Sequence, residues 1–165
     1  MENVLLIFFS KEFCILQIIA NLDPKRHGHL LAYIMCSQFN TPKPIHLIID
    51  TGSSNTTLLS DDVTRLSINC TILQLSPIPS LTASGTIIPF LLPDVQLLIE
   101  VRHGWFNQKR NFGVFHLASI HCMPPTHPQL MTQQRILHAC SLLGMDILRL
   151  FKKWQFTENK LILKT

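Results

Sequence analysis

The stretch HLIIDTGSSNTTLLS, residues 46–60, decides the fold. An apolar run ends on one carboxylate, Asp50, and a turn of glycine and small hydroxyl residues follows at once. A strand that ends in Asp-Thr-Gly presents a carboxylate at its C-terminal tip. Gly52 lets the chain turn sharply, and the hydroxyls of Thr51, Ser53 and Ser54 can donate hydrogen bonds that hold the loop. The same residues also fit a plain Asx turn, in which Asp50 only caps the NTTLLS segment. The tripeptide therefore takes its meaning from the chain around it.

Before it, Ile15 to Leu22, His29 to Phe39 and Ile45 to Ile49 are short runs rich in isoleucine, leucine and tyrosine. DPKRHG and NTPKP separate them with turn chemistry, so the runs read as three strands. After it, SDDVTRLSI, residues 60–68, has Ser60 as a cap and acidic residues behind it, which predicts a short helix. Thr71 to Leu75, Leu81 to Ile88 and Val95 to Val101 read as strands, with Ser84-Gly85 as the bend of a hairpin. Phe112 to Ser119 reads as another strand, HCMPPTHPQ as a loop and Thr132 to Cys140 as a helix. In SLLGMDILRLFKKW, Leu143, Ile147, Leu150 and Phe151 recur at helical spacing after a glycine, and LILK closes the chain as a strand. Many short strands with few helices predict a mainly β, barrel-like or sandwich-like fold.

At 165 residues, one domain with a single core is the simplest organisation. Hydrophobic residues make up 47% and charged residues only 15%, which suits buried strands or a large interface. The formal charge of +4 is small and scattered. Arg149, Lys152, Lys153, Lys160 and Lys164 gather near the C-terminus without interleaved aromatic residues, which reads as a solvated face rather than a nucleic-acid surface. The five cysteines, Cys14, Cys36, Cys70, Cys122 and Cys140, stand singly and read as reduced buried thiols. His116, His121, Cys122, His127, His138 and Cys140 crowd one region, but no C-x-x-C or H-x-x-x-H pair sets two ligands on one turn. Neither a metal nor a cofactor is expected. The opening MENVLLIFFSKEFCILQIIANL carries Glu2 where a targeting signal has a basic residue. Lys11 and Glu12 split its apolar stretch into pieces too short for a bilayer, so a cytoplasmic location without membrane contact is expected.

A second element lies far along the chain. Leu142-Leu143-Gly144 is a hydrophobic-hydrophobic-glycine triplet directly before Met145 and Asp146. Taken in order, IIDTGSS, SDDVTRL, the glycine-bearing TASGTI and SLLGMDIL resemble the single-lobe, retropepsin-like aspartic proteases over residues 29 to 163. The resemblance implies an acid protease barrel with one or two short helices over residues 29–165, active as a two-fold homodimer, preceded by residues 1–28 as an extension or additional strand. It implies Asp50, Thr51 and Gly52 as catalytic residues, with Thr51 making crossed hydrogen bonds between two loops and Gly52 the tight turn. Ser53, bracing the outer carboxylate oxygen, would meet substrate together with Ser84, Gly85 and Thr86 of a flap. Leu142, Leu143 and Gly144 would support the site, both leucines pointing into the core and Gly144 passing under the catalytic loop where a side chain would collide.

The chemistry of that family needs two carboxylates sharing one proton. Asp23, Asp61, Asp62, Asp94 and Asp146 lack a following Thr-Gly or Ser-Gly, so the second carboxylate would be Asp50 of another copy. The implied activity is hydrolysis of peptide bonds in an extended peptide or protein substrate. Two features depart from the family pattern. Met145 and Ser54 stand where viral relatives often carry an arginine and an aspartate, so both members of an ion pair are missing together. The flap segment, Thr82 to Ile87, holds one glycine and no tyrosine. Two other readings are a protease-fold binding or dimerisation module without turnover, and a Cys/His metal protein using His116 to Cys140.

Overall fold

Along Gly28–Cys36 every second side chain is buried, the pattern of a strand with one face on a core. That alternation recurs through the structure, a computed structural model that describes residues 5–7, 16–25, 27–82, 85–103, 111–124 and 140–165. The strands in chain order are β1 (Leu5–Ile7), β2 (Leu16–Leu22), β3 (Gly28–Cys36), β4 (Phe39–Ile49), β5 (Thr57–Leu58), β6 (Gln74–Leu75), β7 (Ser80–Thr82) and β8 (Gly85–Ile87). They continue with β9 (Phe90–His103), β10 (Asn111–Cys122), β11 (Ser141–Leu143), β12 (Lys153–Phe156) and β13 (Lys160–Lys164). Two short helices, α1 (Ser60–Arg65) and α2 (Met145–Leu148), and a 3-10 turn at Cys70–Ile72 join them. Among the described residues no helix is long and apolar enough to cross a membrane.

The strand pairings close on themselves. β10 pairs with β5, β5 with β11, β11 with β4, β4 with β3, β3 with β9, and β9 returns to β10. The result is a barrel, from which β2, β13 and β12 extend as a further wing beside β9. Inside it Ile34, Ile45, Leu47, Leu97, Ile99 and Phe115 are almost wholly buried. Each such side chain contributes about 1.5–3 kcal/mol of transfer free energy. The mainly β expectation holds, and its reason is this continuous apolar interior.

Several local expectations are corrected. NTPKP is no turn: β4 runs through Pro42 and Pro44, and the chain reverses at Ser37-Gln38 instead. Among the described residues, β4 over that half pairs with β3 alone, because β11 joins from Leu47 onward, so missing amide protons are tolerated on the other edge. Ser60 is the first helical residue and not the cap; Leu59 holds the cap position, and the Ser60 hydroxyl donates to the Pro124 carbonyl at 2.8 Å. SLLGMDILRLFKKW is not one helix but strand β11, a glycine, the four-residue α2 and the start of β12. Thr71 to Leu75 is divided between the 3-10 turn and β6. Thr132 to Ala139 lies outside the described residues, as do Ala83 and Ser84 of the hairpin bend. β7 and β8 do pair antiparallel across that bend, and Gly85 has a φ of +123°, which a side chain would strain.

At the β2–β3 turn, Asp23 Oδ1 accepts from the His27 backbone amide at 2.8 Å. Partial burial pushes this carboxyl up, but that amide and the rings of His27 and His29 outweigh it and hold it at about 2.

Candidate active site

Two chain segments leave the barrel side by side. β4 and β11 run parallel, with Leu142 opposite Ile48 and Leu143 opposite Ile49, so Asp50 and Gly144 emerge at the same end. Leu143 is fully buried. Leu142 is only half-buried, against the expectation that both leucines face the core, since neighbours in a strand point to opposite faces.

Beyond the strand ends the two segments are clamped together. The Asp50 amide donates to the Leu143 carbonyl at 3.1 Å, the Met145 amide to the Ser53 carbonyl at 2.8 Å and the Asp146 amide to the Ser54 carbonyl at 3.1 Å. Gly144 fits where its backbone meets that of Asn55 and Thr56: a Cβ there would stand 2.5 Å from the Asn55 oxygen and 2.7 Å from the Thr56 nitrogen.

Asp50 itself is half-buried, while Thr51 and Gly52 are exposed. The Gly52 amide donates to Asp50 Oδ1 at 2.9 Å and the Ser53 amide to the Asp50 carbonyl at 3.3 Å. This is an Asx turn, so the plain turn reading describes the local geometry correctly. It accounts for one carboxylate oxygen only. Oδ2 takes no hydrogen bond from any described residue. The Ser53 hydroxyl does not brace the carboxylate, as the resemblance implied, but donates to the Asn55 carbonyl at 2.6 Å. Ser53 thus tightens the loop from within. The Thr51 side chain bonds to no described residue.

Asp146 was not singled out as a site residue, yet it organises the underside of the loop. It is buried, its Oδ2 accepts from the Thr56 amide at 2.8 Å, and its Oδ1 accepts from the Thr56 hydroxyl at 2.8 Å and the Ile147 amide at 2.9 Å. The Thr56 hydroxyl oxygen in turn accepts from the Gly144 amide at 3.2 Å. A carboxylate inside LLGMDIL, a run with little polar surface to offer it, was the signal available in the sequence. Asp62 is likewise consumed: it pairs with Arg65 and accepts from the buried Ser141 hydroxyl at 2.6 Å.

The hairpin residues Gly85 and Thr86 are exposed. A link between the hairpin and the acid loop, residues 50–56, runs through Ser80, whose hydroxyl lies 3.4 Å from His121 Nδ1, while His121 Nε2 lies 3.4 Å from the Asn55 side-chain nitrogen Nδ2. His121 therefore bridges the two, a role its place in a His- and Pro-rich stretch did not reveal. Of the donors in that stretch, His127 and His138 lie outside the described residues. Among the described residues, His116, His121, Cys122 and Cys140 form no group close enough to share a metal.

No family model matches the chain, and no curated protein matches it. Its structure is similar to the crystal structure of a retropepsin-like aspartic protease from Rickettsia conorii, with a TM-score of 0.53, 20% identity, and coverage of 94% of this chain and 97% of that one. The fold is thus mainly β and retropepsin-like.

Proposed function

We propose that the protein is an aspartic endopeptidase whose site is completed by two copies of the chain, Asp50 of one standing against Asp50 of the other. The observation that most supports this is the condition of Asp50: Oδ1 is fixed by the Gly52 amide at 2.9 Å, and Oδ2 takes no hydrogen bond from the described residues, on an exposed loop clamped from below. A carboxylate held by backbone and open on one side suits a general base. One carboxylate cannot be base and acid in the same step. Within the chain, Asp62 and Asp146 are buried in structural hydrogen bonds, Asp23 faces two imidazoles, and Asp61 and Asp94 lie exposed. A two-fold axis through the exposed loop supplies the partner carboxylate.

Like charges that close do not both ionise, so the pair holds one proton. The ionised carboxylate takes a proton from a water as that water adds to the peptide carbonyl carbon. The protonated one gives its proton to the carbonyl oxygen, forming a tetrahedral diol. Proton transfer to the nitrogen then releases the amine and the new carboxyl group. The Thr51 hydroxyl reaches across to the partner loop, and an extended peptide lies beneath the hairpin of β7 and β8.

The test is cleavage of a peptide library from acidic to neutral pH by the wild type beside Asp50→Asn. The amide is nearly isosteric but cannot act as the base, so turnover disappears while fold and assembly persist. Undiminished turnover in Asp50→Asn removes Asp50 from the mechanism. A statine-type mimic, whose hydroxyl replaces the attacking water, binds once per two chains; one per chain overturns the shared site.

A further inference from the structure

A second cluster of reactive groups sits away from the acid loop, at the turn between β2 and β3. Asp23 Oδ2 lies 3.0 Å from His27 Nδ1 and 3.3 Å from His29 Nε2. All three donor atoms fall within 4.8 Å of one another. Zinc holds nitrogen and oxygen ligands at about 2.0–2.1 Å, so two donors of a tetrahedral ion stand roughly 3.3 Å apart. The separations from the carboxylate oxygen to both imidazoles already have that size. We propose that Asp23, His27 and His29 bind one divalent transition metal ion of the zinc type.

The backbone around the three donors is fixed before any ion arrives. The Asp23 amide donates to the His27 carbonyl at 3.1 Å, and the Leu22 amide donates to the Asn159 carbonyl at 2.9 Å. The His27 amide engages Asp23 Oδ1, which turns Oδ2 toward the two rings. His29 stands on β3, opposite Asn21 of β2 and Ile48 of β4. Each imidazole can shift its proton to the other ring nitrogen, so the ion replaces two N–H···O contacts with two N–metal bonds. Two imidazoles and one carboxylate form a donor set of borderline softness that favours Zn²⁺, Co²⁺ or Ni²⁺ over Ca²⁺ or Mg²⁺. Three protein donors leave a fourth position for water or an outside ligand. His29 also lines, with His46, Glu100 and Lys160, a groove of about 370 Å³. This site is independent of the acid loop and of the peptidase reading.

The experiment is calorimetric titration of the full chain with Zn²⁺, with Ca²⁺ as the contrast, and a Co²⁺ absorption spectrum. The expected result is one Zn²⁺ per chain, a Co²⁺ spectrum without a thiolate charge-transfer band, and affinity at least about tenfold weaker in His27→Gln and in His29→Gln. His27 is 53% exposed, so His27→Gln keeps the metal-free thermal midpoint and separates lost ligation from lost folding. Absence of Zn²⁺ binding overturns the proposal. So does Zn²⁺ binding that survives in the double variant, which places the ion on other histidines or cysteines, and so does Ca²⁺ binding of equal strength.

Discussion

Replacing Gly144 with alanine adds one methyl group at the point where β11 and the acid loop cross. The new carbon would stand 2.5 Å from the Asn55 oxygen and 2.7 Å from the Thr56 nitrogen, and it would overlap the Asn55 carbonyl carbon. Carbon contacts settle at about 3.5–4.0 Å, so the two backbones have to part by roughly 1 Å. They are joined by the amides of Asp50, Met145 and Asp146 and by the Thr56 amide on the Asp146 carboxylate, at 2.8 to 3.1 Å. Weakening two of these bonds at about 1 kcal/mol each, with the strain of overpacking, puts the loss of stability at about 2 to 4 kcal/mol. The assay is urea unfolding of Gly144→Ala beside Gly28→Ala. At Gly28 a Cβ would meet the side-chain tips Ile49 Cδ1 at 3.1 Å and Leu161 Cδ2 at 3.3 Å, which can turn aside. That control loses less than about 1 kcal/mol. If Gly144→Ala unfolds within about 0.5 kcal/mol of wild type, the close crossing of β11 and the acid loop is wrong. On the proposed peptidase reading, peptide cleavage measured in parallel falls further than stability, since a 1 Å displacement of a reacting group costs roughly a hundredfold in rate.

Asp146→Asn sets an amide NH₂ against one of three N–H or O–H donors and costs about 1–3 kcal/mol in chemical unfolding. The exposed Asp61→Asn, its control, stays near wild type, and equal stability of the two variants would remove Asp146 as the clamp. Ser141→Ala leaves the Leu59 amide, now bonded to the Ser141 hydroxyl at 3.1 Å, and Asp62 Oδ2 each short of a partner, and lowers stability by about 1–3 kcal/mol. Burial, with smaller contributions from neighbouring Cys70 and Cys36, pushes the Cys122 thiol far up, so it stays protonated through the neutral range. Iodoacetamide at neutral pH followed by peptide mapping therefore labels Cys122 only after unfolding. Labelling in the native protein as fast as in urea contradicts the burial.

What was legible in the sequence was what repeats or what is chemically odd. Short apolar runs bounded by turn residues marked β2, β3, β9 and β10, although β9 extends from Phe90 to His103, beyond the Val95 to Val101 expected. Misreadings arose where a local rule met a tertiary circumstance. Pro42 and Pro44 signal a turn unless their missing amide protons face an open edge, and the edge becomes known only once β11 pairs from Leu47 onward. Leu143, Ile147, Leu150 and Phe151 mimic a helix because a three-residue strand, a glycine and one helical turn happen to place four apolar residues at helical spacing. Asp23, His27 and His29 match no common ligand motif, since their donors converge only after the hairpin has formed.

The question of why a charge follows an apolar strand has a physical answer in the contrast between two carboxylates. Asp146 is buried and fully engaged, with three hydrogen bonds from Thr56 and Ile147. Asp50, one strand away, has one oxygen tied to Gly52 and the other without a hydrogen bond from any described residue. A buried carboxylate is tolerable only when its lone pairs are filled, so Asp146 fixes the position of Thr56 and, through the Thr56 hydroxyl, that of Gly144. Gly144 in turn allows the loop to lie directly on α2 and β11. The satisfied aspartate thus holds rigid the loop on which the unsatisfied one is presented. If Asp50 is the general base proposed above, a neighbouring donor to Oδ2 would fill the oxygen that this role has to keep open.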